Sequence, residues 1–342
     1  MRDKVLSVSI AAYNIASTLQ EVLAPFLLEN VIDRVDVMIV DDGSKDETAN
    51  IAQEYQEKYP DTFRLIRKEN GGWGSTLNVG MRAARGKYFK QLDGDDFFSY
   101  ENLSSFLDYL EKANSDIVHT PFVTYSDASG GVLNVLNDFG WQNYDIYPKE
   151  TTLRLDECPK IRPEMHNFAI LTKILQENEI FITEHCFYTD VEYSLKAFSV
   201  CHTISFFPRP IYYYRLAFSG QSVSVSGIRK HYKENEKMLM GMLAYYDSLT
   251  EEWAREMVFK RLSAVCELMY RMYFALRCNR AQKSELIAFD QTLRERYPAL
   301  YQSVNTRPVA ILRKSKFFGY WLVAHWKMHR DRKLKMNFFE GE

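Results

Sequence analysis

The chain has 342 residues, 46% of them hydrophobic and 26% charged, with a formal net charge of −2. That balance excludes a disordered or low-complexity chain, and the length predicts one large domain with an appendage. The near-neutral total hides an asymmetry: residues 1–215 hold 21 Lys and Arg against 32 Asp and Glu, whereas residues 216–342 hold 22 against 13. The acidic front suits a metal, and the basic back suits an anionic partner or surface.

Five cysteines, Cys158, Cys186, Cys201, Cys266 and Cys278, form no CxxC pair, so neither a disulfide framework nor a zinc site is signalled. A reducing, cytoplasmic setting is expected. The opening "MRDKVLSVSIAAYN" has an apolar run too short for a secretory segment. No stretch reaches the roughly 18 uninterrupted apolar residues of a membrane span.

In chain order, strands are predicted at Val5 to Tyr13, Val35 to Val40, Phe63 to Arg67 and Lys87 to Leu92, each short and rich in β-branched or aromatic residues. Helical patterns separate them. "SKDETANIAQEYQEKYP" has a capping-box spacing, Ser44 with Glu47, and ends at Pro60. This alternation predicts a largely parallel sheet with helices on both faces. A further strand is predicted from Ser115 to Tyr125, then a helix carrying Phe187, Val191, Leu195 and Phe198, then a strand from Thr203. Beyond about residue 228 the patterns become long amphipathic helices, so residues 1–215 read as an α/β domain and residues 216–342 as a helical appendage.

In such sheets ligands sit beyond the carboxyl ends of the strands. Three of those ends read "AAYN", "VDDGS" and "LDGDD". Asp and Gly make turns at any one strand end, but three acidic or small polar ends of one sheet would converge on a single crevice. Two carboxylates spaced i and i+2 at a strand end can share a hard cation such as Mg²⁺ or Mn²⁺. A cation of that kind, bridging a diphosphate, neutralises the charge that develops on a leaving nucleotide.

With "VSVSIAAYN", "VDVMIVDDGSKDET", "ENGGWGSTLNVGMRAARGKY" and "LDGDD" in that order, and "FYTDVEYSLKAF" as a weaker continuation, residues 5–215 resemble the family 2 glycosyltransferases. The resemblance implies the GT-A fold and transfer of a sugar from a nucleoside diphosphate donor, with inversion at the anomeric carbon. It implies that Tyr13 packs on the nucleotide base, with Ala11 leaving room beside it. Asp42 is implied as acceptor of a hydrogen bond from a uracil ring, which points to a UDP-linked donor, with Asp41 in support. Asp93 is implied near the ribose and Asp95 as the ligand of Mg²⁺ or Mn²⁺.

Asp96 is read as a cap for a helix near Tyr100, and Gly71 and Gly72 either present N–H groups to phosphate or form a plain helix-start turn. Asp190 is implied as the base that takes the acceptor hydroxyl proton. Members commonly have Glu-Asp there; this chain has Thr189-Asp190. Glu192 is the local substitute, and both acids also suit a helix N-terminus. His166 and His185 flank this region and are given no role.

The first loop, "AAYNIASTLQ", lacks the Gly-rich basic stretch of a nucleotidyltransferase and the GxGxxG of a dinucleotide enzyme. Thr189 keeps open a catalytically inactive nucleotide-sugar binding or scaffold protein. A glycan or lipid-linked acceptor in cell-surface polysaccharide assembly is expected, and no nucleic acid. Residues 313–335, "RKSKFFGYWLVAHWKMHRDRKLK", set eight Lys or Arg around an aromatic centre. That pattern suits peripheral contact with the inner face of a membrane, or a helix packed by its aromatics.

Overall fold

A computed structural model of the chain describes residues 4–126, 131–136, 151–215, 225–276 and 279–333. The chain divides into two compact units, Met1–Phe218 and Ser219–Glu342.

The first unit is built on β1 (Leu6–Ala12), β2 (Val35–Asp41), β3 (Phe63–Arg67) and β4 (Tyr88–Asp93), with α1 (Leu19–Leu23), α2 (Thr48–Lys58) and α3 (Trp73–Ala83) between them. The strands run parallel in the order β3-β2-β1-β4. Apolar runs such as Val37–Val40 are fully buried, as expected for parallel strands covered on both faces. A polar clamp fixes the register at the amino ends. Arg64 grips Asp36 through two bonds of 2.7 and 2.8 Å, and Ser7 Oγ donates to the same carboxylate at 2.6 Å. At the other end Ala11 pairs with both Val40 and Asp93, and Ala12 with Asp41, so the three strand ends lie side by side.

Helix α3 crosses β1 so closely that a Cβ on Gly80 would lie 2.0 Å from Ser9 Oγ. After β5 (Phe97–Phe98), α4 (Leu103–Lys112) buries Leu103, Phe106, Leu107 and Leu110, the i, i+3, i+4, i+7 face of an amphipathic helix. The stretch predicted as one strand from Ser115 is two, β6 (Ile117–His119) and β7 (Phe122–Ser126), interrupted before Pro121, which has no N–H to give a ladder. After β8 (Gly131–Leu136), β9 (Leu153–Arg154), β10 (Phe168–Leu171), α5 (Thr172–Glu177) and α6 (Thr189–Ser199), the predicted strand from Thr203 likewise splits into β11 (Thr203–Phe206) and β12 (Tyr212–Arg215). The eight-stranded sheet reads β3-β2-β1-β4-β10-β6-β11-β9, and a second, smaller sheet reads β5-β12-β7-β8. Strand β10 is antiparallel to β4 and β6, so the large sheet is mostly parallel.

The capping box is a correction. Helix α2 starts at Thr48 with no side-chain cap bond from Glu47, and Ser44 instead accepts from Asn14 N at 3.0 Å, tying the two loops together.

The second unit opens with two 24-residue helices, α7 (Val225–Ser248) and α8 (Glu252–Ala275), joined by a short turn and therefore antiparallel neighbours. Met238, Leu239, Met242 and Leu243 face Val258, Leu262, Met269 and Met272 in its core, all buried. Helices α9 (Arg280–Arg296), α10 (Pro298–Ser303), α11 (Arg307–Lys314) and α12 (Tyr320–Lys333) complete it. Among the described residues no helix is long and apolar enough to cross a membrane. Cys158, Cys186, Cys201 and Cys266 are free and buried; Cys278 lies outside the described residues.

Candidate active site

The site is assembled at the carboxyl ends of β1, β2 and β4. Tyr13, just past β1, is 50% exposed and offers a flat ring at the strand end. Ala11 is half-buried next to Asp93 in register. Asn14 holds a left-handed backbone (φ 53°) and its side chain accepts from Lys45 N at 2.7 Å, which fixes the loop after Tyr13.

Asp42 departs from the expectation of an open acceptor. Its carboxylate takes Lys68 Nζ at 2.6 Å, Gly71 N and Gly72 N at 2.9 Å each, and Ser75 Oγ at 3.4 Å. The Gly71 and Gly72 N–H groups are therefore spent on Asp42 rather than offered to phosphate. Gly72 adopts φ +81°, a conformation a side chain would strain, and leads into α3. Asp41 accepts from Ser44 N at 3.0 Å, the supporting role expected of it.

Asp93 ends β4. Its Oδ1 accepts from Trp73 Nε1 at 2.7 Å and from Gln91 Nε2 at 2.5 Å. Burial, then the charge of Asp95, pushes its carboxyl up to about 7 against the pull of those two donors. Asp95 is half-buried, and burial raises it too, with Arg215 working against the shift. Asp96 does not cap a helix: α4 starts at Leu103 after Asn102. Asp96 instead accepts from Tyr212 Oη at 2.6 Å and Arg215 N at 2.7 Å, which joins the strand end to β12. Burial and the charges of Asp93 and Asp95 raise it well above the carboxylate range. Three carboxylates crowded in this way resist joint ionisation until a cation joins them.

His166 lies against the same cluster. One of its ring nitrogens and one carboxylate oxygen from each of Asp93 and Asp96 lie within 4.8 Å of one another. Among the described residues neither His166 ring nitrogen has a hydrogen-bond partner, and burial, then the Lys90 charge, lowers the ring to about 3, which keeps it neutral. Such a set of residues fits a divalent cation.

Asp190 stands in the first turn of α6, half-buried. The loop before α6 is fastened to α3 and the turn before it. His185 N donates to Gly71 O at 2.5 Å, and Asn78 of α3 binds the backbone of Ile182 at both ends of its amide, 2.8 Å each. His185 (φ 50°) and Tyr188 (φ 65°) are left-handed, a clustering of uncommon backbone at the turn that presents Asp190. The charge of Asp190 reaches Asp93. Burial, then the charges of Asp96, Asp93, Asp190 and Asp95, pushes the Tyr214 hydroxyl up.

Glu192 does not share that position. It is buried and accepts from Thr183 N and Oγ1 at 3.1 Å each and from Lys196 Nζ at 2.7 Å, which makes it a structural anchor. Thr189 is buried, with its hydroxyl unpaired among the described residues. Sequence reasoning missed Trp73, Gln91 and Tyr212, which hold the acids in place. Trp73 lay within a quoted motif, and a buried indole N–H demands a partner. Gln91 sits only two residues before Asp93, a spacing common to any strand, and the 116 residues between Asp96 and Tyr212 gave no signal.

Comparison with known proteins agrees with this geometry. The family described as "Glycosyl transferase family 2" matches residues 7–193, more than half of the chain. EpsH of Bacillus subtilis (strain 168), which carries a glycosyltransferase name, is 25% identical over 72% of this chain and 69% of its own. The minor teichoic acid biosynthesis protein GgaB of the same organism is 32% identical over 44% of this chain and 17% of its own. Among solved structures, S. aureus TarS shares the fold at a TM-score of 0.61 and 18% identity, covering 96% of this chain and 53% of TarS. The mannosyltransferase PcManGT from Pyrobaculum calidifontis, solved with GDP-Man and Mn²⁺, gives 0.54 and 15% over 98% of this chain and 88% of its own. With a mostly parallel sheet whose acidic strand ends meet a helix-borne acid, and with that family match, the chain belongs to glycosyltransferase family 2 and has the GT-A fold.

Proposed function

We propose that the protein moves a sugar from a uridine diphosphate donor to a hydroxyl of a glycan or lipid-linked acceptor in cell-surface polysaccharide assembly, with inversion at the anomeric carbon. The observation that carries this reading is the side-by-side placement of the β1, β2 and β4 ends, where Asp93 and Asp96 lie within 4.8 Å of each other and of His166. A separate acid, Asp190, stands in the first turn of α6. The TarS 1–349 structure solved with UDP-GlcNAc shares this fold, at a TM-score of 0.54 and 18% identity, and the GgaB name supports a surface-polymer acceptor.

Tyr13 stacks on the base, and Ala11 leaves it space. Asp42 shapes the wall of that pocket through the turn it holds from Lys68 to Ser75, and Asp93 faces the ribose. Asp95, with the neighbouring acids, would hold Mg²⁺ or Mn²⁺, and a cation there would neutralise the charge on the diphosphate leaving group. Asp190 takes the acceptor hydroxyl proton as that oxygen bonds to the anomeric carbon and the bond from that carbon to phosphate oxygen breaks. No enzyme nucleophile intervenes, so configuration inverts. The 1–215 segment carries this chemistry, and the helical remainder positions the enzyme.

In that remainder, Ile311, Phe318, Trp321, Leu322 and Trp326 are five of the nine exposed large apolar side chains among the described residues. Exposed Lys314 and Lys316 lie among them, and Lys283 sits 5.8 Å from the Phe318 ring. Apolar side chains rimmed by cations suit the headgroup region of an anionic bilayer. Arg313 is not among the available cations: its side chain is 12% exposed and bound to Asp290 at 2.8 Å.

The test is UDP release by the full chain supplied with UDP-sugars and Mn²⁺, with and without glycan and lipid-linked acceptors. Acceptor-dependent release supports transfer. Tight UDP-sugar binding without any such release across the acceptor panel would favour a binding protein instead.

A further inference from the structure

The His166 side chain is held in place without using its polar atoms. Its ring stacks on Phe122 with centroids 5.0 Å apart, meets Tyr212 edge-on at 4.8 Å and tilts against Tyr214 at 4.8 Å. Lys90, fully buried in β4, donates to the His166 carbonyl at 2.8 Å and the Phe168 carbonyl at 2.9 Å, which fixes the backbone beneath it. Three aromatic contacts orient the ring, yet both nitrogens are buried with no hydrogen-bond partner among the described residues. A buried polar atom left unpaired is destabilising, so a fixed imidazole in this state points to a ligand that completes it.

We propose that His166, together with Asp93 and Asp96, joins Asp95 in the protein-side ligand set of the divalent cation, and that its imidazole biases the site toward Mn²⁺ over Mg²⁺. This rests on the glycosyltransferase reading above and specifies its metal site. An octahedral cation with bonds of about 2.1 Å sets neighbouring ligands about 3.0 Å apart and opposite ones about 4.2 Å apart. The three ligand atoms already lie within 4.8 Å of one another, close to the span of one coordination shell. Both carboxylates are already oriented from outside. Trp73 and Gln91 donate to Asp93, while Tyr212 donates to Asp96 and its oxygen also accepts from Asp93 N at 3.2 Å. Such outer contacts are what hold metal ligands in position. Asp95 is half-buried in the same strand-end turn, one residue before Asp96 and outside this triangle. Magnesium prefers an all-oxygen shell and gains less from an imidazole than a transition metal does.

The test is Mn²⁺ binding to the full chain, with and without UDP, by electron paramagnetic resonance, including the hyperfine coupling that a coordinated imidazole nitrogen gives. Wild type should show nitrogen coupling. His166→Phe, which keeps the ring packing, should lose it, bind Mn²⁺ at least 10-fold more weakly, and narrow the preference for Mn²⁺ over Mg²⁺. His166→Gln, with circular dichroism and a melting curve on both variants, guards against misfolding. Absence of nitrogen coupling in wild type, or Mn²⁺ affinity unchanged in folded His166→Phe while Asp95→Asn abolishes it, overturns this ligand set and leaves the transferase reading standing. Failure of wild type to bind either Mn²⁺ or UDP overturns that reading itself.

Discussion

Trp73 Nε1 donates to Asp93 Oδ1 at 2.7 Å while the same indole meets the Tyr193 ring edge-on, with centroids 6.4 Å apart. One side chain at the start of α3 thus joins the acidic end of β4 to α6, the helix that carries Asp190. Trp73→Phe keeps most of the ring contact and removes one donor from a buried carboxylate. The expected loss is about 1.5–3 kcal/mol of stability, with weaker binding of donor, since hydrogen bonds to charged groups are worth that much. Urea unfolding and UDP titration check it; unchanged values in both would mean that Gln91 alone holds Asp93.

Asp42 and Lys68 form a further pair, at 2.6 Å, whose side chains are 4% and 19% exposed. Asp42→Ala removes the acceptor for Lys68, Gly71 N and Gly72 N together. We expect a loss of about 3–5 kcal/mol, the range for breaking a buried ion pair from one side. Asp42→Asn should recover part of it. Were Asp42 chiefly a base-recognition residue, Asp42→Ala would lower UDP affinity with little change in the unfolding midpoint, and that outcome would give Asp42 the uracil-binding role that the resemblance implies.

Asp190 and Glu192 separate by the measurement they affect. Asp190→Asn keeps the shape but removes the proton acceptor, so turnover should fall about 10²-fold or more with donor binding intact. Glu192→Gln weakens the bonds to Thr183 and Lys196 and should lower stability, with turnover affected through that loss. Turnover retained in Asp190→Asn but abolished in a folded Glu192→Gln would exchange the two roles.

The parallel core was legible in the sequence because β-branched runs and helical spacing are local signals, and the strand ends carried their acids in short motifs. The two-sheet division at Pro121 was not, since "SDIVHTPFVTY" keeps a strand-like composition across the proline. Asp42 and Asp96 were recognised as acids of the site, but what they bind depends on partners 26 and 116 residues away. His166 carried no sequence signal at all. Its environment is made by Phe122, Tyr212 and Tyr214, which only the fold brings around it.

In the second unit, Asp290 is held by Tyr270 Oη at 2.5 Å and Arg313 Nε at 2.8 Å, and Arg313 also donates to the carbonyls of Tyr301 and Val304 at 2.7 Å each. This buried network ties α8, α9 and α11 to the turn after α10. Asp290→Ala strands the guanidinium and should cost about 3–5 kcal/mol. Thermal melts of the full chain check it; a midpoint equal to wild type would show that the carbonyls alone satisfy Arg313.

The same network decides how membrane contact must be tested. Phe317, Tyr320, Val323 and Ala324 are buried, so part of the aromatic segment packs within its own unit, and removing the chain beyond Pro308 would unfold what it is meant to probe. Phe318 and Leu322, at 84% and 78% exposure, and Trp321, at 40%, are free to change. Phe318→Ser with Trp321→Ser and Leu322→Ser should leave the melting point within a few degrees of wild type, because exposed apolar side chains contribute little to folding. Each removed side chain would have buried apolar area worth about 25 cal/mol per Å² in the bilayer boundary. Each nearby Lys contributes about 1 kcal/mol toward an anionic surface. Wild type should therefore sediment with anionic vesicles at low salt and much less with neutral ones, and the triple variant should lose most of that binding. Equal partitioning of the two proteins, or none onto anionic vesicles at low salt, would mean that this surface does not meet a membrane and that the acceptor reaches the enzyme in solution.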